Sequence, residues 1–231
     1  MGRWAPYATC PACGTGFFDH QLADTFWGQG AEPSLAQEAE WSARHRQREF
    51  LVGDGPGRLL DVGCGFGHFV RWAVDHGWDA FGTDFDAWAR ERTVVPGRVR
   101  AHHDELDGVF DVVTLWDVLE HVRNPIEFAA GLRHRLRPGG RLIVGSPNFA
   151  ALKARWPLLR LDAARFNDLV RPEEHVVQFT EAGMLLTLER AGYQRPRVLR
   201  PPMARRSNRA ANWLVRRVPQ LRRGLFAEAF A

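Results

Sequence analysis

The stretch Arg58–Val70, RLLDVGCGFGHFV, decides the fold. Its apolar residues around Asp61 indicate a short buried strand, and Gly63, Gly65 and Gly67 indicate a tight turn before a helical period begins. Glycines let the backbone pass close to a ligand, and the start of a helix offers N–H donors. A strand, a glycine-rich turn and a helix together therefore suggest a cradle for a cofactor. The glycine pattern alone is equally compatible with a plain strand–helix turn, so the residues downstream must decide.

Strand and helix signals alternate from this stretch onward. Buried strands are predicted at 58–62, 80–84, 99–102, 110–115 and 141–145. Strands that alternate with helices form a parallel sheet with helices on both faces, which is the Rossmann-like α/β class. Two further strands are predicted at 196–199 and 225–230, after a helix that Thr180 caps. Ligands of such sheets bind where the strands end, and the glycine turn lies at one of these ends.

The chain divides into an N-terminal extension, 1–54, and a larger domain, 55–231. The extension is predicted to contain a cysteine knuckle and a helix from about 34 to 51. Within the larger domain, residues 148–175 are predicted to form a cap of two short helical pieces over the sheet edge. This cap is where we expect a ligand pocket to be shaped.

The composition is typical of a globular protein. The chain has 231 residues, of which 45% are hydrophobic, and no run of about 18 apolar residues that could span a membrane. Three cysteines argue against a disulfide framework. The N-terminus lacks the basic and then apolar pattern of a signal sequence, so we expect a cytoplasmic protein.

Positive charge is concentrated towards the C-terminus. The formal net charge is +4, and the stretch from Arg195 to Arg223 carries many arginines and no acidic residue. Residues 203–223 have the pattern of a basic amphipathic helix with a tryptophan, which would contact a membrane surface or an acidic partner, or pack on the sheet edge with its arginines solvated. Arginines also suit RNA phosphates, but no RNA-binding module is recognisable, so a nucleic-acid partner is not expected. The oligomeric state is not predicted.

Four stretches occur in a fixed order: LLDVGCGFG at 59–67, GTD at 82–84, FDVVTLWDVLEH at 110–121 and LRPGGRL at 136–142. Together they resemble the class I S-adenosylmethionine-dependent methyltransferases, most closely the branch of the ubiquinone-biosynthesis O-methyltransferases. The resemblance covers about 55–195 and implies a seven-stranded, mostly parallel sheet with an antiparallel last strand. It also implies S-adenosylmethionine as the cofactor. A nicotinamide dehydrogenase is disfavoured, because the third glycine comes one residue earlier than in the dinucleotide fingerprint.

The resemblance implies which residues bind the cofactor. Asp61 and the neighbouring glycines would hold its methionine end, Asp84 would accept hydrogen bonds from the ribose hydroxyls, and Phe85 would flank the adenine. His103 or Asp104 would lie near the adenine amino group, and the residues that end the fourth strand would line the pocket. The predicted set is Asp61, Gly63, Cys64, Gly65, Asp84, Phe85, His103, Asp104, Leu115 and Trp116.

Asp117, Glu120 and His121 form a second cluster. Their spacing puts them on one face if a helical turn follows the fourth strand, and the distant His175 could return to the same place. The set looks like the Glu-x-x-Glu-His and distant His of magnesium-assisted O-methyltransferases, including small-RNA 2′-O-methyltransferases, with Asp117 replacing the first Glu. Such ligands suit Mg²⁺ or Mn²⁺, which would lower the pKa of a substrate hydroxyl.

Two other interpretations of this cluster stay open. His121 could act alone as a general base, or the set could be a hydrogen-bonded support without a metal. In the metal-assisted interpretation, Glu120 and His121 are the catalytic residues. Removal of activity by a chelator would separate the metal from the other two interpretations.

Cys10-Pro-Ala-Cys13-Gly14 has the form of a zinc knuckle. A structural zinc site needs four ligands, and His20 could supply only a third. The remaining cysteine, Cys64, lies in the glycine turn. We therefore predict a turn here and do not expect a zinc site.

Three functions are compatible with these observations. The first is methyl transfer from S-adenosylmethionine to an oxygen of a small molecule, such as a sugar, a quinone precursor or a secondary metabolite. The second is metal-assisted 2′-O-methylation of RNA. The third is a non-catalytic partner protein that retains the fold, against which the intact Asp61, Gly63, Gly65 and Asp84 argue.

Overall fold

The computed structural model describes residues 7–18, 47–159, 170–172, 174–201 and 224–231. The basic segment 203–223, most of the predicted helix 34–51, the predicted helical piece 162–169 and His20 lie outside these residues. What the sequence indicates for them stays a prediction.

Strands and helices alternate through most of the described chain. The strands are β1 (Tyr7–Thr9), β2 (Gly16–Phe18), β3 (Gly57–Val62), β4 (Trp78–Thr83), β5 (Val99–Arg100), β6 (Phe110–Trp116), β7 (Leu136–Pro147), β8 (Val177–Gln178), β9 (Gln194–Leu199) and β10 (Gly224–Phe230). The helices are α1 (His68–Asp75), α2 (Ala87–Glu91), α3 (Pro125–Gly131), α4 (Phe149–Leu159) and α5 (Glu181–Arg190), and a further helical segment, 47–52, precedes β3. None of the helices within the described ranges combines the length and the apolar character that a bilayer crossing requires.

Seven strands form one sheet in the order β5-β4-β3-β6-β7-β10-β9. The pairs from β5 through β7 are parallel, whereas β10 runs antiparallel to both of its neighbours. The predicted Rossmann-like sheet with an antiparallel last strand is therefore confirmed. The chain moves outward from β3 to β5 and then returns to β6 on the other side of β3. This reversal opens a crevice at the carboxyl ends of β3 and β6, where ligands of such sheets bind.

The central strands are buried on both faces. Leu59, Leu60 and Val113 are completely inaccessible to solvent. Leu60 and Val113 belong to one apolar cluster, whereas Leu59 and Val112 belong to the other. Successive side chains of a strand point to opposite faces, so a parallel strand covered by helices on both sides needs the nearly continuous apolar run seen in the sequence.

A second sheet connects the N-terminal hairpin to a segment far along the chain. β1 and β2 form the antiparallel hairpin, and β2 also pairs with β8. The hydroxyl of Thr180 donates to the Cys13 carbonyl at 2.6 Å, and Nζ of Lys153 donates to the Gly14 carbonyl at 3.2 Å. Thr180 is also the N-cap of α5, as predicted, and accepts from the Gly183 N–H at 3.0 Å. The hairpin is therefore fastened to the start of α5.

Most predicted strands and helices are present with boundaries that differ by a few residues, and the region 124–140 differs most. The sequence predicts a helix over 124–136, but α3 ends at Gly131, a poor helix former, and a 3-10 turn, Arg133–Arg135, follows. The sequence also predicts a turn at 137–140, and this segment lies inside β7 as an irregularity in the pairing with β6. Pro138 has no N–H to donate, and Gly139 has a φ of +74°, so neither residue continues a regular ladder.

We expect Gly183→Ala to loosen the contact between α5 and the hairpin. A Cβ at Gly183 would lie 1.8 Å from the Thr15 hydroxyl, and Thr15 is buried. Overpacking of this kind costs about 1–3 kcal/mol of unfolding free energy, measured by urea denaturation. Gly131→Ala is the matched control, because nothing lies within 4 Å of its Cβ and alanine favours a helix by about 0.5–1 kcal/mol. Adding Thr15→Ala to Gly183→Ala should restore part of the lost unfolding free energy. Equal stability of Gly183→Ala and Gly131→Ala would contradict the prediction.

Candidate active site

The glycine turn after β3 shapes the floor of the crevice. Gly63 and Gly65 have φ values of +75° and +54°, which favour glycine. A Cβ at Gly63 would lie 2.5 Å from a methyl group of Val118, whereas nothing lies within 4 Å of the Cβ position of Gly65. The turn therefore packs tightly on one side and leaves space for a ligand on the other.

The turn is bonded to the end of β4. The N–H groups of Gly63 and Cys64 both donate to the Thr83 carbonyl, at 2.7 and 3.0 Å. The Gly65 N–H donates to Oδ2 of Asp84 at 2.8 Å, and the Asp86 N–H donates to Oδ1 at 2.9 Å. The backbone thus fixes the Asp84 carboxylate at the tip of β4, beside the open side of Gly65.

Asp61 lies beneath the turn and is 2% exposed. Its Oδ1 accepts a 2.7 Å hydrogen bond from the Thr114 hydroxyl on β6. Burial raises the pKa of Asp61 to about 7, and the hydrogen bond from Thr114 and the charge of Arg48 offset part of this effect. A carboxyl whose pKa is raised in this way can accept a hydrogen bond when ionised and donate one when protonated.

Arg48, which was not among the predicted site residues, contacts the end of β6. Its Nη2 donates to Oδ2 of Asp117 at 2.7 Å, and its guanidinium lies 5.3 Å from the centre of the Trp116 ring. Trp116 is buried at the end of β6. The only sequence signal was an arginine in the predicted helix 34–51, and nothing in that helix indicates which of its arginines faces the crevice.

The structure brings together three of the four predicted metal ligands. Ligand atoms of Glu120, His121 and His175 lie within 4.8 Å of one another. Glu120 and His175 are buried, and the His121 and His175 rings meet edge to face with centres 4.7 Å apart. The cluster follows the carboxyl end of β6, with His175 arriving from the segment before β8.

Asp117 is not part of this group and instead pairs with Arg48. Asp117 could share a face with Glu120 and His121 only if a continuous helical turn began at Asp117. Asp117 has a φ of +55°, and the 3-10 turn begins only at Leu119. The assumed helical spacing therefore does not apply to Asp117, whereas Glu120 and His121 are adjacent residues of that turn.

The protonation of His121 follows from its contacts. Its Nδ1 lies 2.8 Å from the Glu174 carbonyl oxygen, which can only accept, so Nδ1 carries the proton and Nε2 the lone pair. Burial lowers the pKa of His121, and the hydrogen bond to Glu174 offsets part of this effect. The imidazole is therefore neutral at pH 7, the form that accepts a proton or binds a metal ion.

The remaining predicted cofactor residues differ in their surroundings. Phe85 is 57% exposed beside Asp84, and Leu115 is fully buried at the end of β6. The Cys64 side chain packs directly against Gly82, where a Cβ would lie only 2.6 Å from its sulfur. Burial raises the pKa of the Cys64 thiol. His103 and Asp104 lie in the 3-10 turn after β5. Cys64 thus remains a neutral thiol that packs the turn against β4.

Cys10 and Cys13 lie in the turn between β1 and β2. Both are free thiols, and the Gly14 N–H closes the turn on the Cys10 carbonyl at 2.8 Å. Backbone and side-chain hydrogen bonds from Cys13 lower the pKa of Cys10. The predicted turn is present, and it forms part of the surface on which α5 begins.

The middle of this chain is similar in sequence to known methyltransferases. A family model described as a methyltransferase domain matches residues 35–195. An S-adenosylmethionine-dependent methyltransferase of Mycolicibacterium smegmatis is 34% identical over 133 residues, 52% of this chain and 51% of that protein. A ubiquinone biosynthesis O-methyltransferase of Acinetobacter baumannii is 25% identical over 155 residues, 56% of this chain and 64% of that protein. The chain thus spans less than two thirds of either relative.

Solved structures share the fold at low sequence identity. An S-adenosylmethionine-dependent methyltransferase from Mesorhizobium loti superposes with a TM-score of 0.56 at 21% identity, covering 86% of this chain and 100% of that one. Another from Archaeoglobus fulgidus gives a TM-score of 0.58 at 16% identity, covering 83% and 94%. Similarity at this level of identity establishes the architecture of the sheet and its helices.

The buried Asp61 carboxyl should make stability depend on pH. Its pKa of about 7 in the folded state exceeds the value near 4 of an unfolded chain, so the folded state retains a proton that the unfolded state releases. Through this group, the free energy of unfolding falls as pH rises from about 4 to 7, by up to about 4 kcal/mol. The isosteric Asp61→Asn should remove that fall, measured by urea denaturation at pH 5 and 7.5. Parallel pH curves for both proteins would contradict the prediction.

Proposed function

The chain belongs to the methyltransferase domain family, whose model matches most of it, and on that premise we propose that it methylates an oxygen of a small-molecule acceptor with S-adenosylmethionine. The acceptor class is supported by relatives that are ubiquinone biosynthesis O-methyltransferases. The observation that carries the oxygen assignment is the convergence of Glu120, His121 and His175 beyond β6. A hydroxyl acceptor needs a group that removes its proton, and this cluster offers one.

The crevice fits the cofactor at three points. The open side of Gly65 leaves room for the ligand, and the buried Asp61 carboxyl would lie near its methionine end. Asp84 has two carboxylate oxygens that can accept from the two ribose hydroxyls while they remain bonded to backbone N–H groups. Phe85, exposed beside Asp84, offers a flat apolar surface to the adenine.

Arg48 adds a positive charge to the methionine end in this proposal. It is close enough to Asp61 to influence the pKa of that carboxyl. Because it stacks on Trp116 and pairs with Asp117, its guanidinium is already positioned at the crevice mouth. A carboxylate of the cofactor would find there a donor whose orientation is fixed before binding.

The protein must orient the acceptor oxygen and take its proton. When bound, S-adenosylmethionine supplies a methyl group on a sulfonium, and its transfer leaves S-adenosylhomocysteine and releases the proton of the hydroxyl. Nε2 of His121 can accept that proton directly. Alternatively, Glu120, His121 and His175 can hold Mg²⁺ or Mn²⁺, which would lower the pKa of the hydroxyl and fix its direction. The two imidazoles favour Mn²⁺ of these ions.

The same cluster suits metal-assisted 2′-O-methylation of RNA, the alternative proposal. A salt-sensitive complex with RNA in a filter-binding assay would favour it, because phosphate contacts release counterions. A screen of phenols, catechols and sugars with labelled cofactor, with and without Mg²⁺, tests the small-molecule proposal directly. Failure to bind S-adenosylhomocysteine in calorimetry would instead favour a non-catalytic role. A peripheral membrane contact through 203–223 remains a separate proposal.

Asp84→Ala should weaken cofactor binding, and it also removes the acceptor of the Gly65 and Asp86 N–H groups. Two hydrogen bonds from ribose to a carboxylate contribute roughly 2–4 kcal/mol, so the Kd for S-adenosylhomocysteine should rise at least about 30-fold in calorimetry. Asp79→Ala is the matched control: Asp79 is an exposed acid on the same strand that pairs with Arg58 and Arg98. An unchanged Kd for Asp84→Ala would refute the ribose role.

His121→Ala should lower turnover at least about 100-fold without changing the Kd for S-adenosylhomocysteine. Treatment with EDTA distinguishes the two chemical roles. If a metal assists, EDTA abolishes turnover and Mg²⁺ or Mn²⁺ restores it; if His121 is the base, EDTA has no effect and the turnover follows the titration of one group. Full turnover of His121→Ala would exclude both roles.

A further inference from the structure

A second cluster of metal-ligating side chains lies outside the Glu120, His121 and His175 group. His103 and Asp104 belong to the 3-10 turn after β5, and His134 belongs to the 3-10 turn before β7. One nitrogen of each imidazole and one carboxylate oxygen lie within 4.8 Å of one another. Two separate connections of the sheet thus bring three donor groups to one point.

The distances within the cluster resemble those between ligands of one ion. Oδ1 of Asp104 lies 3.1 Å from Nδ1 of His103 and 3.3 Å from Nε2 of His134. In a tetrahedral site with bonds of about 2.0–2.2 Å, adjacent ligand atoms are about 3.3–3.6 Å apart. The side chain of His134 is 58% exposed, so its rotation can bring the two imidazole nitrogens into the same range.

The contact of His103 with Asp104 is not a directed hydrogen bond. Nδ1 of His103 is buried and has no hydrogen-bond partner among the residues that the structure describes, although Oδ1 of Asp104 is close. Buried polar atoms normally have a partner, so this one needs an explanation. A metal ion held by His103, Asp104 and His134 would give this nitrogen a partner.

We propose that His103, Asp104 and His134 bind a late first-row transition-metal ion such as Zn²⁺, with water completing its coordination. Two imidazoles and one carboxylate suit Zn²⁺, Co²⁺ or Ni²⁺, whereas Mg²⁺ and Ca²⁺ prefer oxygen ligands. The ion joins the connection after β5 to the connection before β7. It shares no ligand with the Glu120 cluster, although His103 and Asp104 are also the residues that the resemblance places near the adenine amino group of the cofactor.

One neighbouring cation limits the affinity of this site. Arg135 follows His134 directly, and its guanidinium donates to the Leu106 carbonyl and lies over the Phe110 ring. These contacts hold its charge in place, so it repels an ion without occupying the ligand position. We therefore expect weaker Zn²⁺ binding than at a three-ligand site without an adjacent arginine.

Titration of the full chain with Zn²⁺ by calorimetry tests the proposal. The parent protein should bind one ion more than His134→Ala, or bind that ion at least tenfold more tightly. Asp104→Asn, which keeps the shape of the side chain, should show the same loss. His76→Ala is the matched control, because His76 is a surface histidine whose Nδ1 contacts the Trp72 carbonyl, outside both clusters.

Thermal unfolding supplies a second readout that separates binding from folding. Zn²⁺ should raise the Tm of the parent and of His76→Ala, and the rise should be absent in His134→Ala, while all three metal-free proteins unfold at similar temperatures. Equal Zn²⁺ binding by the parent and His134→Ala would overturn the proposal. An equal loss in His76→Ala would also overturn it, because binding would then come from surface imidazoles in general.

Discussion

The candidate crevice depends on one set of hydrogen bonds, those that the glycine turn donates to the end of β4. Gly63 and Cys64 bind the last carbonyl of that strand, and Gly65 binds the carboxylate beyond it. These bonds join the two βα units before any ligand arrives. They also hold the acid at a fixed distance from the turn, so a ligand that needs both finds them already aligned.

The opposite wall of the crevice is assembled from segments that are distant in sequence. Glu120 and His121 follow β6, whereas Glu174 and His175 precede β8. The Glu174 carbonyl sets the tautomer of His121, and the two imidazoles touch each other. The backbone carbonyl of Glu174 therefore determines which ring nitrogen of His121 has the lone pair. This dependence links the proton-accepting group to the conformation of residues 174–180.

The sheet could be predicted from sequence because its signals are local. Apolar runs such as 110–115, the glycine turn and the Thr180 cap each arise from the physics of a few adjacent residues. The family resemblance then supplied the order of the motifs. The irregular start of β7 could not be predicted, because the proline and glycines at 138–140 are equally compatible with a turn and with a bulge inside a strand.

The candidate site was less predictable than the sheet for a physical reason. Convergence of His175 on Glu120 could be anticipated only through the resemblance, and the partner of Asp117 could not be anticipated at all. The positive φ of Asp117 breaks the helical spacing on which its assignment depended. Similarly, the pairing of Arg48 with Asp117 joins residues on different elements, and no local pattern encodes that contact.

The three-stranded sheet has a consequence for how this protein can change. β2 pairs with β8, and the Phe18 N–H donates to the Val176 carbonyl, next to His175. The N-terminal hairpin thus pairs directly with the segment that carries His175. Replacing residues 7–18 by those of a relative, without also replacing 174–180, would therefore disturb the position of His175. We expect the two segments to change together during evolution.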